Sequence, residues 1–244
     1  MNICLFSKDE IENPEPFLSF DDKRGEHILK VLHKTQGDSF TAGIICGASG
    51  EAVITLIDEA ARKIFFTFSE TGDGKPLNPL KMIVGFVRPI QLRRLLRDVA
   101  ALGVSELHLT GTELGEKSYM QSDLAQPEKV RELLLEGTVQ AGSTHVPQVF
   151  IHKSVQECLD SMGSLSLSKG ICLDNINPAC SLSEVEGQSV IAAIGSERGW
   201  TDRERRLFED AGFIRCGMGS RIMRTETAVT VAGAIILTGM GVLN

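Results

Sequence analysis

The amino-acid sequence predicts an α/β protein in which a small antiparallel β-barrel precedes a larger parallel sheet. The chain has 244 residues, enough for two domains that each bury a hydrophobic core. In the first part, β-branched and aromatic runs alternate with glycine-containing or acidic turns. In the second part, apolar strands alternate with amphipathic helices, a pattern that is typical of parallel sheets.

The predicted barrel rests on three runs that follow one another about ten residues apart. They are DSFTAGIICG, GEAVITLID and ARKIFFTFSE. The segment TGDGKPLNP at 71–79 then interrupts the pattern with two glycines and two prolines, so we place the domain boundary there. The first domain is predicted to span residues 1–72 and the second residues 73–244.

The predicted sheet domain begins with the apolar strand KMIVGFV and continues into an amphipathic helix. That helix places Leu92, Leu95, Leu96 and Val99 on one face, and Gly103 ends it. The alternation then continues through PEKVRELLLEGTVQ, PQVFI, SVQECLDSM, GICLD, SVIAAIG, DRERRLFEDAG, FIRCGMG and a C-terminal helix. Ligands of such sheets bind beyond the carboxyl ends of the strands.

Composition argues against several other classes of protein. With 42% hydrophobic and 23% charged residues, the chain is typical of globular proteins. The N-terminal MNICLFSKDEIENPEP turns acidic too early for a signal peptide. The six cysteines lack the paired spacing of zinc or redox motifs, so we expect reduced thiols, no metal and a cytoplasmic location.

The uncharged run AVTVAGAIILTGMGVLN is nearly long enough to cross a membrane. It contains three glycines and two threonines and has no basic flank or aromatic belt, so we predict a buried helix and no membrane contact. The net charge of −7 disfavours a nucleic-acid partner. Basic charge is nevertheless concentrated in VRPIQLRRLLRD and in residues 198–224, where one anionic partner could bind.

Two predicted strands run into loops that each contain two glycines, IAAIGSERGW at 191–200 and FIRCGMGSR at 213–221. Thr201 and Glu204 form a capping-box pattern, which predicts a helix starting directly after the first loop. Neither a G-x-G-x-x-G motif nor a P-loop is present in these loops. On glycine spacing alone, two ordinary strand-to-helix turns are the simpler interpretation.

The segment IGSERGWTDRERRLFEDAGFIRCGMGSRIMRTETA resembles the signature of the ribosomal RNA small subunit methyltransferase E family. In that family I-G-P-E-G-G is followed, after a helix, by L-G-x-R-I-L-R-x-E-T-A. EHILKVLHKTQGD and ALGVSELHL are similar to further family segments. The resemblance implies a SPOUT-type methyltransferase with a C-terminal trefoil knot, a PUA-like RNA-binding barrel and a homodimer. The implied reaction uses S-adenosylmethionine to methylate N3 of a uridine in 16S ribosomal RNA, either free or in the assembled small subunit.

The resemblance also implies which residues hold the cofactor. They are Leu173, Gly195, Glu197, Gly199, Met218, Gly219, Ile222 and Met223. A uracil N3 must lose its proton, so a base or a stabilising positive charge is needed. Arg224 is the candidate for the charge, with a phosphate clamp or a surface ion pair as alternatives. Glu197 is the candidate for cofactor orientation or proton removal, or else it only fixes its turn.

RNA contact is predicted for five residues: His33, Arg93, Arg94, Arg97 and Arg221. The three helical arginines lie opposite the apolar residues of their helix, so a solvated face explains them equally well. His108 lies within a predicted strand and is interpreted as a core or strand-end histidine. His27 and His33 have no third metal ligand nearby in the sequence.

The chain departs from the family pattern in four segments, and two of these departures are Ala101 in place of the acid of E-L-G-V and His33 in place of the arginine of V-L-R. Ser196 and Arg198 replace the proline and the first paired glycine, and VQAGSTHVP lacks the arginine of E-Q-S-G-R. If position 198 requires a positive φ, arginine there costs on the order of 1 kcal/mol. Three alternatives therefore stay open: a paralogue acting on another RNA, a non-catalytic RNA-binding or ribosome-assembly factor, and a small-molecule α/β enzyme.

Overall fold

The computed structural model describes residues 2–163, 165 and 168–243. Contacts divide the chain into two compact units, Met1–Pro76 with Thr138–Val146, and Leu77–Gly137 with Pro147–Asn244. This division falls four residues after the boundary that the sequence predicts. The return of residues 138–146 to the first unit has no counterpart in the sequence pattern.

The first unit is built on a small curled sheet. Over the described residues its strands are β1 (Cys4–Phe6), β2 (Phe17–Ser19), β3 (Ser39–Ile44), β4 (Ser49–Asp58) and β5 (Lys63–Gly72). Its helices are α1 (Lys8–Ile11), α2 (Lys23–Glu26) and a π-helical turn (His27–Val31). The strand order is β1-β3-β4-β5-β2, and every pairing except the parallel β1–β3 is antiparallel. The antiparallel strands predicted from the three runs are confirmed as β3, β4 and β5.

Alternation along the strands of the first unit creates its core. On β4, Ala52 and Ile54 are buried while Val53 between them is exposed, because successive strand side chains point to opposite faces. They pack with the aromatic rings of Phe6, Phe40 and Phe66. The ring centroid of Phe66 lies 4.9 Å from that of Phe6 and 5.8 Å from that of Phe40. A register shift between Ile54 and Leu56 bends the sheet around this core.

Arg24 joins three parts of the first unit. Its guanidinium lies 5.0 Å from the Phe6 ring centroid and donates to the Leu5 carbonyl at 2.8 Å. It also forms ion pairs with Glu10 at 2.6 Å and Asp22 at 2.7 Å. The hydrogen bond from Arg24 lowers the pKa of Asp22. Burial acts to raise the pKa of Glu10, but the contacts with Arg24 and Ser7 together lower it below its ordinary value.

The second unit is a parallel sheet covered by helices. Over the described residues its strands are β6 (Asn78–Gly85), β7 (Val104–Thr110), β8 (Gln148–His152), β9 (Lys169–Leu173), β10 (Cys180–Ser181), β11 (Val190–Ile194) and β12 (Ile214–Gly217). Its helices are α3 (Pro89–Ala101), α4 (Pro127–Ala141), α5 (Val155–Met162), α6 (Asp202–Asp210) and α7 (Thr225–Gly239). Short 3-10 turns occur at Lys117–Gln121, Asp123–Ala125 and Leu182–Glu184.

The strand order of this sheet is β10-β12-β9-β11-β6-β7-β8, and all of these pairings are parallel. The parallel α/β sheet predicted from the sequence is therefore confirmed. β11 is buried along its whole length, as expected for a central strand that is covered on both faces. β12 lies between β9 and β10, although both of those strands precede it in the chain.

One face of the final helix is buried, as predicted for the uncharged run that begins at Ala228. Ala228, Val229 and Ala232 lie on the inner face of α7. Gly233 packs closely on Leu102, because a Cβ there would lie 2.7 Å from Cδ1 of Leu102, and the end of that side chain would have to move to admit it. No helix in the described ranges is both long and apolar enough to cross a membrane.

Replacing Arg24 with methionine should lower the free energy of unfolding by about 2 kcal/mol at neutral pH, because two half-buried carboxylates lose their cation. Both carboxylates have lowered pKa values in the folded protein. Both carboxylates therefore stabilise the fold fully when the pH is above their ordinary pKa values of 3.8 for Asp22 and 4.5 for Glu10. This contribution is lost as the pH falls through their lower pKa values in the folded protein. The difference between variant and wild type should shrink below about pH 4.

Urea unfolding followed by circular dichroism across this pH range measures the effect. The control is Arg62→Met, which removes an exposed ion pair with Asp21 and should change stability by less than about 0.5 kcal/mol. Equal losses in the two variants, or a pH-independent loss for Arg24→Met, would contradict the structural role of Arg24.

Candidate functional site

A cavity of about 340 Å³ opens where β9, β11 and β12 end. These strands are neighbours in a parallel sheet, so their carboxyl ends lie at one edge and the loops that follow them meet there. The walls are formed by residues 173–176 and 194–200, by Arg205, by Cys216 and most residues of 218–223, and by the beginning of α7. The two glycine loops singled out in the sequence thus belong to one cavity.

The residues predicted to contact the cofactor all line this cavity: Leu173, Gly195, Glu197, Gly199, Met218, Gly219, Ile222 and Met223. Arg221 lines it as well. Arg224 is exposed at the N-cap of α7 and, within the described residues, is not among those that line the cavity. The structure thus brings the predicted binding residues together, and their roles toward a ligand stay predictions.

Backbone conformation explains one glycine in each loop. Gly199 has a φ of 72° and Gly219 a φ of 95°, conformations that L-residues with side chains adopt only with strain. Among the described atoms, a Cβ at either position would meet nothing within 4 Å, so conformation rather than space requires glycine. Arg198 does not have a positive φ. The strain of about 1 kcal/mol considered for that position therefore does not arise.

The first loop is fixed by buried polar contacts. Trp200, the single tryptophan of the chain, is buried, and its indole N–H donates to the Leu173 carbonyl at 3.2 Å. The Thr225 hydroxyl donates to the Gly195 carbonyl at 3.0 Å and so ties the start of α7 to the same loop. Sequence reasoning did not identify either contact, because each joins residues that are far apart in the chain.

Ser196, which replaces the family proline, has a structural partner. The Thr112 hydroxyl, in the loop after β7, donates to the Ser196 hydroxyl at 2.8 Å. The predicted capping box is also present: Glu204 accepts from the Thr201 N–H at 2.9 Å, and the Thr201 hydroxyl accepts from the Glu204 N–H at 3.2 Å. Buried Glu204 additionally accepts from the Glu113 N–H at 2.9 Å, which anchors the loop after β7.

Charged groups of both signs border the cavity. Asp174 forms an ion pair with Arg205 at 2.5 Å, and only 3% of the Asp174 side chain is exposed. Glu197 lies 3.3 Å from Arg88, whose guanidinium also donates to the Tyr119 hydroxyl at 3.2 Å. Arg88 is a site residue that sequence reasoning missed, although it belongs to the basic segment VRPIQLRRLLRD. Its position directly after the first strand of the sheet was the available signal.

The residues predicted to bind RNA are spread over both units. Arg93, Arg94 and Arg97 are exposed on α3, opposite its buried leucines, as the sequence predicts. Arg97 is engaged in an ion pair with Glu136. Arg221 is exposed in the loop before α7, and His33 is exposed in the first unit.

His108 is buried in β7. Its Nδ1 is 3.0 Å from Nε2 of His152, and its Nε2 is 3.3 Å from a carboxylate oxygen of Glu106. Together with Cys158, the two histidines offer ligand atoms within 4.8 Å of one another, a group that the sequence did not suggest. The imidazoles satisfy each other without an ion, and burial raises the pKa of the Cys158 thiol to about 12.

Comparison with known proteins identifies clear relatives. The family described as "RNA methyltransferase domain" matches residues 74–237. "Ribosomal RNA small subunit methyltransferase E" of Treponema pallidum is 44% identical over 242 residues, which cover 97% of this chain and 91% of that protein. "Ribosomal RNA small subunit methyltransferase E 1" of Borreliella burgdorferi is 29% identical over 239 residues, which cover 97% of this chain and 97% of that protein.

Solved structures share the fold. A ribosomal RNA small subunit methyltransferase E from Neisseria gonorrhoeae, bound to S-adenosyl methionine, superposes with a TM-score of 0.76 at 24% identity, covering 98% of this chain and 97% of that one. A probable rRNA-methyltransferase from Porphyromonas gingivalis superposes with a TM-score of 0.78 at 20% identity, covering 99% of each chain.

Replacing Arg205 with methionine should leave the Asp174 carboxylate buried without its cation and lower the free energy of unfolding by about 3 kcal/mol. The matched control is Arg206→Met, because Arg206 is exposed on the same helix and donates only to a backbone carbonyl among the described contacts. Denaturant unfolding of the two variants measures the difference. Similar stability of both variants would show that the buried ion pair does not hold the wall at residues 174–176.

Proposed function

The chain belongs to the ribosomal RNA small subunit methyltransferase E family, and on that basis we propose that it methylates N3 of a uridine in 16S ribosomal RNA. As a member of this family it is a methyltransferase, and S-adenosylmethionine is its methyl donor. The substrate is the small-subunit RNA, free or in the assembled subunit. The observation that carries the proposal is that all eight predicted cofactor residues surround one cavity at the carboxyl ends of parallel strands.

The cavity suits the donor by size and by lining. Its volume of about 340 Å³ falls in the range of small-molecule sites. Gly199 and Gly219 expose bare backbone, and the apolar side chains of Leu173 and Ile222 offer surface for an adenine ring. When bound, S-adenosylmethionine supplies an electrophilic methyl group. The residues of this chain bind the donor, align the uracil N3 with that methyl group and remove the proton from N3.

We propose that Glu197 accepts the proton that leaves N3 of the uracil. The Glu197 side chain borders the cavity and is 38% exposed, and its carboxylate lies 3.3 Å from Arg88. A positioned carboxylate can accept the N3 proton as the nitrogen attacks. In the alternative role, the same carboxylate orients the donor without taking a proton.

We propose that Arg224 stabilises the negative charge that develops on the uracil. Within the described part of the chain it has no carboxylate at ion-pair distance, which disfavours the surface ion pair considered as an alternative. An unpaired guanidinium at the start of α7 is available to stabilise negative charge on the uracil or to contact a phosphate of the RNA.

Further features of the proposal come from family membership. We propose a trefoil knot, which the insertion of β12 between the earlier strands β9 and β10 supports. We propose a homodimer, which the strongly exposed Ile222 and Ile90 support, at 83% and 75% exposure. The first unit is proposed to be a PUA-like RNA-binding domain that includes His33. Arg93, Arg94 and Arg221 are proposed to contact RNA, and the protein is proposed to act in the cytoplasm.

The non-catalytic alternative is weakened by the backbone at Arg198. That alternative rests on arginine in place of a family glycine and on the altered VQAGST segment. The first of these departures causes no backbone strain, because Arg198 does not have a positive φ. The decisive experiment incubates the protein with S-adenosylmethionine and either free 16S RNA or small subunits, and then analyses nucleosides by mass spectrometry. We expect 3-methyluridine. RNA retained on a filter without any methylated nucleoside would establish the non-catalytic alternative instead.

Replacing Gly219 with valine should abolish S-adenosylmethionine binding in a calorimetric titration. A β-branched residue is strained at a φ of 95°, so the loop has to rearrange its backbone within the cavity wall. Gly37→Val is the matched control, because Gly37 has a φ of 91°, also has open space around it and lies in the first unit. If both variants bind the donor like wild type, this loop is not part of the site.

Replacing Glu197 with glutamine should lower kcat about 100-fold while the dissociation constant of S-adenosylmethionine changes less than about threefold. The exposed Asp210→Asn at the end of α6 is the control for loss of one negative charge. Single-turnover methyl transfer and calorimetry provide the two readouts. A weakened dissociation constant with unchanged kcat would assign Glu197 to donor orientation rather than to proton removal.

A further inference from the structure

Two cysteines meet beside the cofactor cavity. Cys180 on β10 and Cys216 on β12 are registered partners in neighbouring parallel strands, so their side chains project from the same face of the sheet. Their Sγ atoms are 3.0 Å apart, and both are free thiols. A disulfide bond has an S–S length of about 2.05 Å, so a closing movement of about 1 Å separates the dithiol from a disulfide.

The two thiols differ in exposure. Cys180 is partly exposed, whereas Cys216 is buried and lines the cavity. Burial, reinforced by the hydrogen bond to Cys180, raises the pKa of the Cys216 thiol to about 12. Cys180 is therefore the sulfur that a dissolved oxidant reaches first. Cys172 on the adjacent β9 is registered with Arg215 rather than with Cys216, so it projects from the opposite face.

The chain between β9 and β10 connects this pair to the cavity wall. The Asp174 N–H donates to the Cys216 carbonyl at 3.0 Å, and the Ala179 N–H donates to the Arg215 carbonyl at 2.9 Å. Asp174, which makes the first of these contacts, and Ile176, which lies between the two, line the cavity together with Cys216. A covalent bond between the two sulfurs would thus join the segment 174–179 and β12 at the wall of the cavity.

We propose that Cys180 and Cys216 are a reversible redox site, and that their disulfide weakens binding in the cofactor cavity. The proposal rests on the proposed function, because that function assigns the cavity to S-adenosylmethionine. The oxidant is a peroxide. The Cys180 thiolate displaces hydroxide from hydrogen peroxide and becomes a sulfenic acid. Cys216 then attacks that sulfur, and its proton leaves with the departing hydroxide as water. In total, two thiols and one peroxide give one disulfide and two waters.

Formation of the disulfide would displace part of the cavity wall. Cys216 is followed directly by Gly217 and then by the cavity residues Met218 and Gly219. Drawing its sulfur toward β10 by about 1 Å shifts the beginning of this loop, and closely packed sites are sensitive to displacements of that size. We expect the disulfide to weaken S-adenosylmethionine binding about tenfold. A thiol reductant restores both the thiols and the affinity.

The experiment compares the full chain after treatment with dithiothreitol, with hydrogen peroxide, and with peroxide followed by dithiothreitol. Peptide mass spectrometry locates a Cys180–Cys216 link by the loss of two hydrogens, and calorimetry measures S-adenosylmethionine affinity in each state. Cys180→Ser is the test variant, because Cys180 is not among the described residues that line the cavity. Cys46→Ser is the control, because it removes an exposed thiol of the first unit.

The proposal expects a mapped disulfide and weaker binding in wild type and in Cys46→Ser, and neither effect in Cys180→Ser. A failure of the reduced wild type to bind S-adenosylmethionine would overturn the proposed function and this regulation with it. Binding in the reduced state combined with no mapped link, or with equal affinity in the linked state, would overturn the redox site alone.

Discussion

The parallel direction of the strands in the second unit determines where its candidate site residues can lie. Parallel strands place all their carboxyl ends at one edge of the sheet, and each strand there must be followed by a loop that leads into a helix or crossover. The loops after β9, β11 and β12 therefore meet even though about 20 residues or more separate them in sequence. The cavity, its glycine loops and the dithiol beside it all follow from this single directional constraint.

Loops at such an edge need internal support, and this protein supplies it with buried polar contacts. The Trp200 indole, the Thr225 hydroxyl and the Glu204 carboxylate each bind a backbone group at the end of a different strand or in the loop after it. Buried donors and acceptors left without partners are destabilising, so these contacts fix one arrangement of the loops. Gly199 and Gly219 can then keep conformations that other residues resist, which leaves exposed backbone facing the cavity.

The proposed contacts with RNA have to be made by local basic charge, because the protein is acidic overall. The net charge of −7 repels nucleic acid over most of the surface, so attraction must be local. Arg93 and Arg94 are exposed on one helix, and Arg221 and Arg224 are exposed around the cavity mouth and the start of α7. Arg97 and Arg205 are instead occupied by ion pairs within the protein. Counting arginines in the sequence thus overstates the number that are available to RNA.

The sequence by itself determined the features that depend on local chemistry. Periodicity predicted β3, β4 and β5 of the first unit and most strands and helices of the second, but not the short strands β1, β2 and β10. The Thr201 and Glu204 spacing predicted the capping box, and the two glycine loops carried the family signature. Three other features were decided only by the tertiary structure: the Arg88 and Glu197 ion pair, the register of Cys180 with Cys216, and the return of 138–146 to the first unit. Each joins segments that are distant in the chain. Local patterns report which face of an element is buried, but the strand order and register that bring distant residues together come from packing of the whole sheet.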